Sequence, residues 1–186
     1  MSKQQAPLEA LKQYLPNGSY EKVSGFLHIY HIHLTITRER TTLLGDYRNA
    51  IPGKNHRISV NGNLNQFAFL YTLLHEIAHL LTYDKYGHKV ASHGREWKHF
   101  FSILLKDFLT EKIFPADIEQ AIAQSLHNPA ATSCAEDELL RVLRRYDHVS
   151  DGYCLVEEIV LGGVFSIRDG RLFKRGEKLR KIYKSI

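Results

Sequence analysis

The sequence predicts an α+β fold in which a small antiparallel sheet packs on helices and a β-hairpin appendage closes the C-terminus. Three patterns carry that expectation: two-residue alternation in the first third, helical apolar periodicity from about residue 66 to 146, and a return to short strand-like runs after Tyr153. With 186 residues the chain can fill one main core plus a small appendage, and it is too short for two ordinary domains. The expected division is 1–146 and 147–186. A hydrophobic fraction of 44% against 24% charged suits a globular protein.

Pro7 to Leu15 carries Leu8, Leu11 and Leu15 in a short helical stripe ended by Pro16. Phe26 to Arg38 turns to alternation, with Ile32, Leu34 and Ile36 on one face, and reads as a half-buried strand. Thr41 to Tyr47 and Arg57 to Val60 continue that pattern, punctuated by Gly45 and by residues 51–55, which gives three antiparallel strands. Asn65 stands where it can cap a helix from Gln66 to about Tyr83, and Gly87 ends the connection that follows. A second helix spans about Gly94 to Leu109, with Trp97, Phe100, Phe101, Leu104, Leu105 and Phe108 as its apolar face. Pro115 to Leu126 and Glu136 to Tyr146 suit two further helices, separated by a looser stretch from His127 to Ala135. Leu155 to Val160 and Gly163 to Ile167 then read as strands, and Asp169-Gly170 signals a hairpin.

The most apolar stretch, Phe67 to Leu74, is far shorter than the about 20 residues of a membrane span. The opening MSKQQAPLEALKQYLP lacks the apolar core of a secretory signal, so the expected location is cytoplasmic. Cys134 and Cys154 lie far apart with no C-x-x-C pair, which argues against a disulfide framework or a cysteine zinc site. The net charge of +5 is concentrated at the end: Arg168 to Ile186 holds eight basic residues against Asp169 and Glu177. Such a run attracts phosphate backbones, and it equally suits a solvated surface.

His75-Glu76-Ile77-Ala78-His79 is an H-E-x-x-H pentapeptide. Four helical residues advance about 6 Å and return to nearly the same face, so both imidazoles reach one ion while Glu76 stands beside them. Chance alone places the pentapeptide in about 4% of chains of this composition, so its setting has to support it. Here it lies on a helix with apolar neighbours Phe67, Leu70, Leu73, Leu74, Leu80 and Leu81. A catalytic zinc needs a third protein ligand and an open fourth position. Thr82 and Lys85 break the metzincin continuation, and His88, His93, Glu96 and Glu111 are the downstream candidates. His93 is preferred because it stands just ahead of the next helix, where the chain returns after Gly87.

Thr72-Leu73-Leu74-His75-Glu76-Ile77-Ala78-His79 followed by His93-Gly94-x-x-Trp97-Lys98 resembles the SprT-like family, to which the Spartan proteases belong. The likeness takes in roughly Leu44 to Leu64 and Phe165 to Tyr183 as well. It implies a zincin-like peptidase domain with one Zn²⁺ on His75, His79 and His93, Glu76 as catalytic base, and a protein substrate. Spartan-type relatives cleave DNA-crosslinked proteins and are switched on by DNA. That agrees with the basic run at the end of this chain, whose candidate DNA contacts, chosen by charge, are Arg171, Lys174, Arg175, Lys178, Arg180 and Lys181. Many members carry a four-cysteine zinc ribbon after the peptidase domain, whereas this appendage has Cys154 alone, so a ribbon-like hairpin without its metal is expected.

Tyr83, His88 and Arg95 are the candidates for a donor to the oxyanion, and Asp84 and Asp107 the nearest acids that could orient an imidazole. Two rival classes remain at this level. A nucleic-acid-associated zinc adapter without turnover has no need of Glu76, and a purely structural zinc domain requires a fourth protein ligand that no nearby cysteine supplies.

Overall fold

A computed structural model describes residues 7–126, 137–147, 154–167, 169–179 and 182–185. The chain divides into two compact units, Met1–Asp147 and His148–Ile186. The first is built on helix α2 (Gln66–Tyr86), whose residues Phe69 to Ala78 are all buried. A helix apolar on every side must be enclosed on every side. Strands β2 (Gly45–Arg48) and β3 (Arg57–Asn61) cover one flank of α2, while helices α3 (Arg95–Thr110) and α5 (Asp137–Arg144) also pack on it. Helix α4 (Ala116–Ser125) packs on α5. The core runs through Val60, Leu70, Leu73, Leu74, Ile77, Trp97, Phe101 and Ile122.

The start of α2 is fixed twice by one residue. Asn65 Oδ1 accepts from the Phe67 and Ala68 backbone N–H groups at 3.1 and 3.0 Å. Its Nδ2 donates to the Leu143 carbonyl at 2.9 Å and to Asp147 Oδ1 at 2.6 Å, which ties α5 to the cap. Asn65→Ala removes both functions and is expected to destabilise the fold by about 2 kcal/mol. Calorimetry should then show a melting midpoint lowered by about 4–8 °C.

The expected antiparallel sheet is corrected to a mixed one. Its order is β1-β3-β2, with β1 (His33–Thr37) parallel to β3 and β2 antiparallel to it. Residues 38–44 do not form a hairpin; they cross the end of β3 and deliver β2 to its far side. Asn61 holds this crossing, donating from Nδ2 to the Arg40 and Leu43 carbonyls at 3.1 and 3.2 Å. In return the Arg40 guanidinium donates to Asn61 Oδ1 at 2.7 Å and Ser59 Oγ at 3.0 Å.

The long strand expected from Phe26 to Arg38 is also corrected. Phe26 to Ile29 belong to helix α1 (Tyr20–Ile29), and only His33–Thr37 is strand. The break is His31 at φ 49°, after which the Ile32 N–H returns to the Leu27 carbonyl at 2.8 Å. The N-terminal stripe forms a 3₁₀ helix, Leu8–Tyr14.

In the second unit Val156–Glu158 is a 3₁₀ turn where a strand was expected. The Glu158 carboxylate accepts from the Leu155 N–H at 2.7 Å, a local bond that competes with extension. Strands β4 (Val164–Ser166), β5 (Leu172–Leu179) and β6 (Ile182–Ser185) make an antiparallel sheet in that order. The Asp169-Gly170 hairpin forms between β4 and β5, with Gly170 at φ 82°. Cys154 is exposed and unbridged, while Cys134, Arg180 and Lys181 lie outside the described residues. Among the described residues no helix is long and apolar enough to cross a membrane.

Candidate metal centre

Helix α2 carries His75, Glu76 and His79, and the turn ahead of α3 brings His93 to the same place. His75 Nε2 lies 3.3 Å from His79 Nε2 and 3.3 Å from His93 Nε2. Hydrogen bonding alone explains this poorly, because a neutral imidazole has a single N–H and three rings converge on one point. A tetrahedral ion with metal–nitrogen bonds of about 2.0–2.1 Å holds its ligand nitrogens about 3.3–3.4 Å apart, so the spacing suits an ion such as zinc.

The protonation states agree. Burial first, then the neighbouring His79 and His93, pushes His75 down to about 3. Burial and His93 push His79 down to about 4, and burial also lowers His93. All three imidazoles are therefore neutral at pH 7 with a lone pair to give. Trp97 of α3 backs the group, its ring centre 4.7 Å from His75, 5.4 Å from His79 and 4.8 Å from His93. It is fully buried, so the centre is closed to water on that side.

Glu76 sits against β2. A Cβ added at Gly45 would lie 2.6 Å from Glu76 Oε1 and 2.8 Å from Thr72 Cγ2, so only glycine allows this approach. Burial raises the Glu76 carboxyl to about 8, Asp46 adds to the rise, and Arg40 opposes it. The cleft above the centre measures about 300 Å³ and is lined by Gly45, Asp46, Tyr47, Glu76, Ser92 and His93 along with the other two histidines.

A family model described as the SprT-like family matches residues 16–109. This chain belongs to the SprT-like family. The match takes in the first sheet, α2 and α3, hence every element that builds the centre, and it ends ahead of the basic C-terminal run. No curated protein and no solved structure matches the chain. SprT-like domains are metallopeptidase-like, and the three-histidine group could hold a metal ion.

The remaining candidates separate cleanly. His88 packs edge-on against Tyr83, 5.0 Å between ring centres, and is not in the histidine group. Glu111 and Asp107 both pair with Lys22 of α1, at 3.0 and 2.9 Å, so neither serves the centre. The His75 Nδ1 atom is buried without a hydrogen-bond partner among the described residues, so no carboxylate orients that ring. Arg95, Asp84 and Glu96 are absent from the cleft lining. Tyr83 lines a neighbouring pocket, where its hydroxyl accepts from Asn49 Nδ2 at 3.1 Å.

Sequence reasoning missed Tyr47, Gly45 and His56. The Tyr47 ring is nearly parallel to His79 (4°, 6.4 Å between centres), and its hydroxyl is 2.9 Å from His56 Nδ1. The Ala50 N–H donates to that same nitrogen at 3.2 Å, and burial lowers the His56 pKa, so His56 is neutral with Nδ1 as acceptor. Tyr47 accordingly donates, and burial, Tyr83 and Asp84 hold its own pKa well above the ordinary value. No spacing rule marks such residues, because they reach the centre from a different element.

Among the candidate DNA contacts, Arg171 pairs with Asp169 at 2.8 Å and stands 5.7 Å over the Phe173 ring. Arg175 bonds the Ile159 carbonyl, and Lys174 lies opposite Val164 on β5. Lys178 is described by its backbone alone.

Proposed function

We propose that this protein is a zinc-dependent peptidase of zincin-like architecture that hydrolyses peptide bonds in proteins, with His75, His79 and His93 as ligands and Glu76 as base. The observation that carries the reading is a buried carboxylate beside three converging neutral imidazoles, all facing one cleft. When bound, zinc would supply a Lewis acid for the carbonyl and lower the pKa of a water toward about 7. The Glu76 carboxylate then takes the proton of the attacking water and passes it to the leaving nitrogen. Burial raises its proton affinity in the metal-free protein, and beside the positive ion it would be held ionised and ready to accept. Trp97 excludes solvent from behind, and Gly45 leaves the carboxylate its space. The basic C-terminal run supports DNA, and proteins bound or crosslinked to it, as partner and substrate.

The test is to quantify zinc in the purified protein and to follow cleavage of a DNA-binding protein with and without single-stranded DNA and with a chelator. About one zinc per chain, chelator-sensitive cutting and stimulation by DNA are expected. Zinc without cutting under any condition would transfer support to the adapter reading. Cutting indifferent to DNA would remove the DNA arm alone.

Gly45→Ala offers a check on the base. The added methyl must displace the Glu76 carboxylate or lift β2, and a misplacement of about 1 Å costs about 10²-fold. Cleavage should fall by that order while zinc content stays unchanged.

A further inference from the structure

Beside the metal cleft is a second pocket of about 250 Å³, and the two share Tyr47, His79 and Ser92 as a common wall. Nothing in the peptidase mechanism uses it. For comparison, an engineered cavity of about 150 Å³ in another protein holds a benzene, so a phenyl, phenol or indole ring fits here.

The wall chemistry is selective. Among the described residues the lining has no Asp, Glu, Lys or Arg side chain. Tyr47 and Tyr83 face in with ring centres 6.4 Å apart, and His88 meets Tyr83 edge-on. These rings are held before any ligand arrives: Tyr47 donates to His56 Nδ1, and the Tyr83 hydroxyl accepts from Asn49 Nδ2. Preset rings with polar tips are the usual build of a site for an uncharged aromatic group. A charged side chain would lose its hydration there with no counter-charge in the lining.

We propose that this pocket is a specificity subsite that takes an uncharged, ring-bearing side chain next to the bond that is cut. The role in cleavage rests on the peptidase reading; the binding of a ring does not. A peptide laid across the metal group has its neighbouring side chain within reach of the pocket, because Tyr47 and His79 line both spaces.

N-acetyl-phenylalanine amide titrated into the full-length protein, followed by backbone amide NMR, should perturb Gly87 to Ser92 with a Kd of about 1 mM. N-acetyl-alanine amide should bind at least about tenfold more weakly. Val90→Trp, which fills the pocket, and Tyr83→Ala, which removes a wall, should each weaken the phenylalanine ligand by a similar factor. Equal binding of the two amides, or unchanged binding in both variants, overturns the proposal. In parallel, a peptide library should show aromatic enrichment at one position flanking the cut, lost in Val90→Trp. Cleavage with no such enrichment overturns the subsite's role, whereas ring binding in a protein that cuts nothing keeps the pocket and overturns the peptidase reading.

Discussion

Replacing Glu76 with glutamine is expected to leave zinc content unchanged and to lower cleavage about 10²- to 10⁴-fold, the range of a lost general base. The substitution keeps the shape that fits against Gly45, so the fold has no reason to change. The same variant makes a second prediction in the metal-free protein. Glu76 titrates near 4.5 in the unfolded chain and at about 8 in the native one. Below 4.5 both states hold the proton and the group contributes no pH dependence. As pH rises from there toward 8, the unfolded chain ionises while the native state resists, so native stability falls. Glutamine has no such charge. Metal-free Glu76→Gln should therefore melt above metal-free wild type, with a gap that widens between pH 4.5 and 8. A constant gap would mean that the carboxyl is not held protonated by burial. Loss of zinc from the variant would move Glu76 from base to ligand.

How much of this was legible depended on where the information sits. α2 was legible because its cap, its apolar run and the H-E-x-x-H spacing are all local, and the structure places Asn65 at the cap and both histidines on one side. The hairpin at Asp169-Gly170 was legible for the same reason. The direction of β1 was not, since alternation reports which face is buried and says nothing about which strand lies alongside. That choice belongs to Asn61 and Arg40, whose side chains span about twenty residues of sequence to fix the crossing. α1 was missed because its ten residues carry only a sparse apolar stripe, broken by Ser24 and Gly25, and its last turn, Phe26 to Ile29, runs straight into the alternation of β1 until His31 turns the chain. Tyr47 and Gly45 were missed at the centre because an edge strand brings them there, and β2's position is itself a consequence of that crossing.

His93→Ala is expected to lower zinc affinity at least about 100-fold while leaving the native fold in place, since loss of even an outer partner of a ligand costs about 10- to 100-fold. His75 and His79 are poorer probes: both project from the central helix, and His75 is 6% exposed, so truncation there also opens the core. His93 is half-buried on a turn. As the proposed ligand it would join α2 to the start of α3, so an ion bound by all three rings would stabilise the native state against unfolding. At a free zinc concentration of 100 times Kd that amounts to about 2.7 kcal/mol. Wild type should gain several degrees of melting temperature on adding zinc, and His93→Ala should gain little. pH supplies the sign. Ligand rings must be neutral, and in the unfolded chain they protonate below about 6.5, whereas burial holds His75 at about 3 and His79 at about 4 in the native one. The stability these two rings contribute is whole above 6.5 and is lost as pH falls through that window. Zinc stabilisation in wild type should shrink in the same direction. Were His88 the third ligand, His93→Ala would keep its zinc and His88→Ala would lose it; the 3.3 Å contact of His93 with His75, against the packing of His88 on Tyr83, argues for the opposite result.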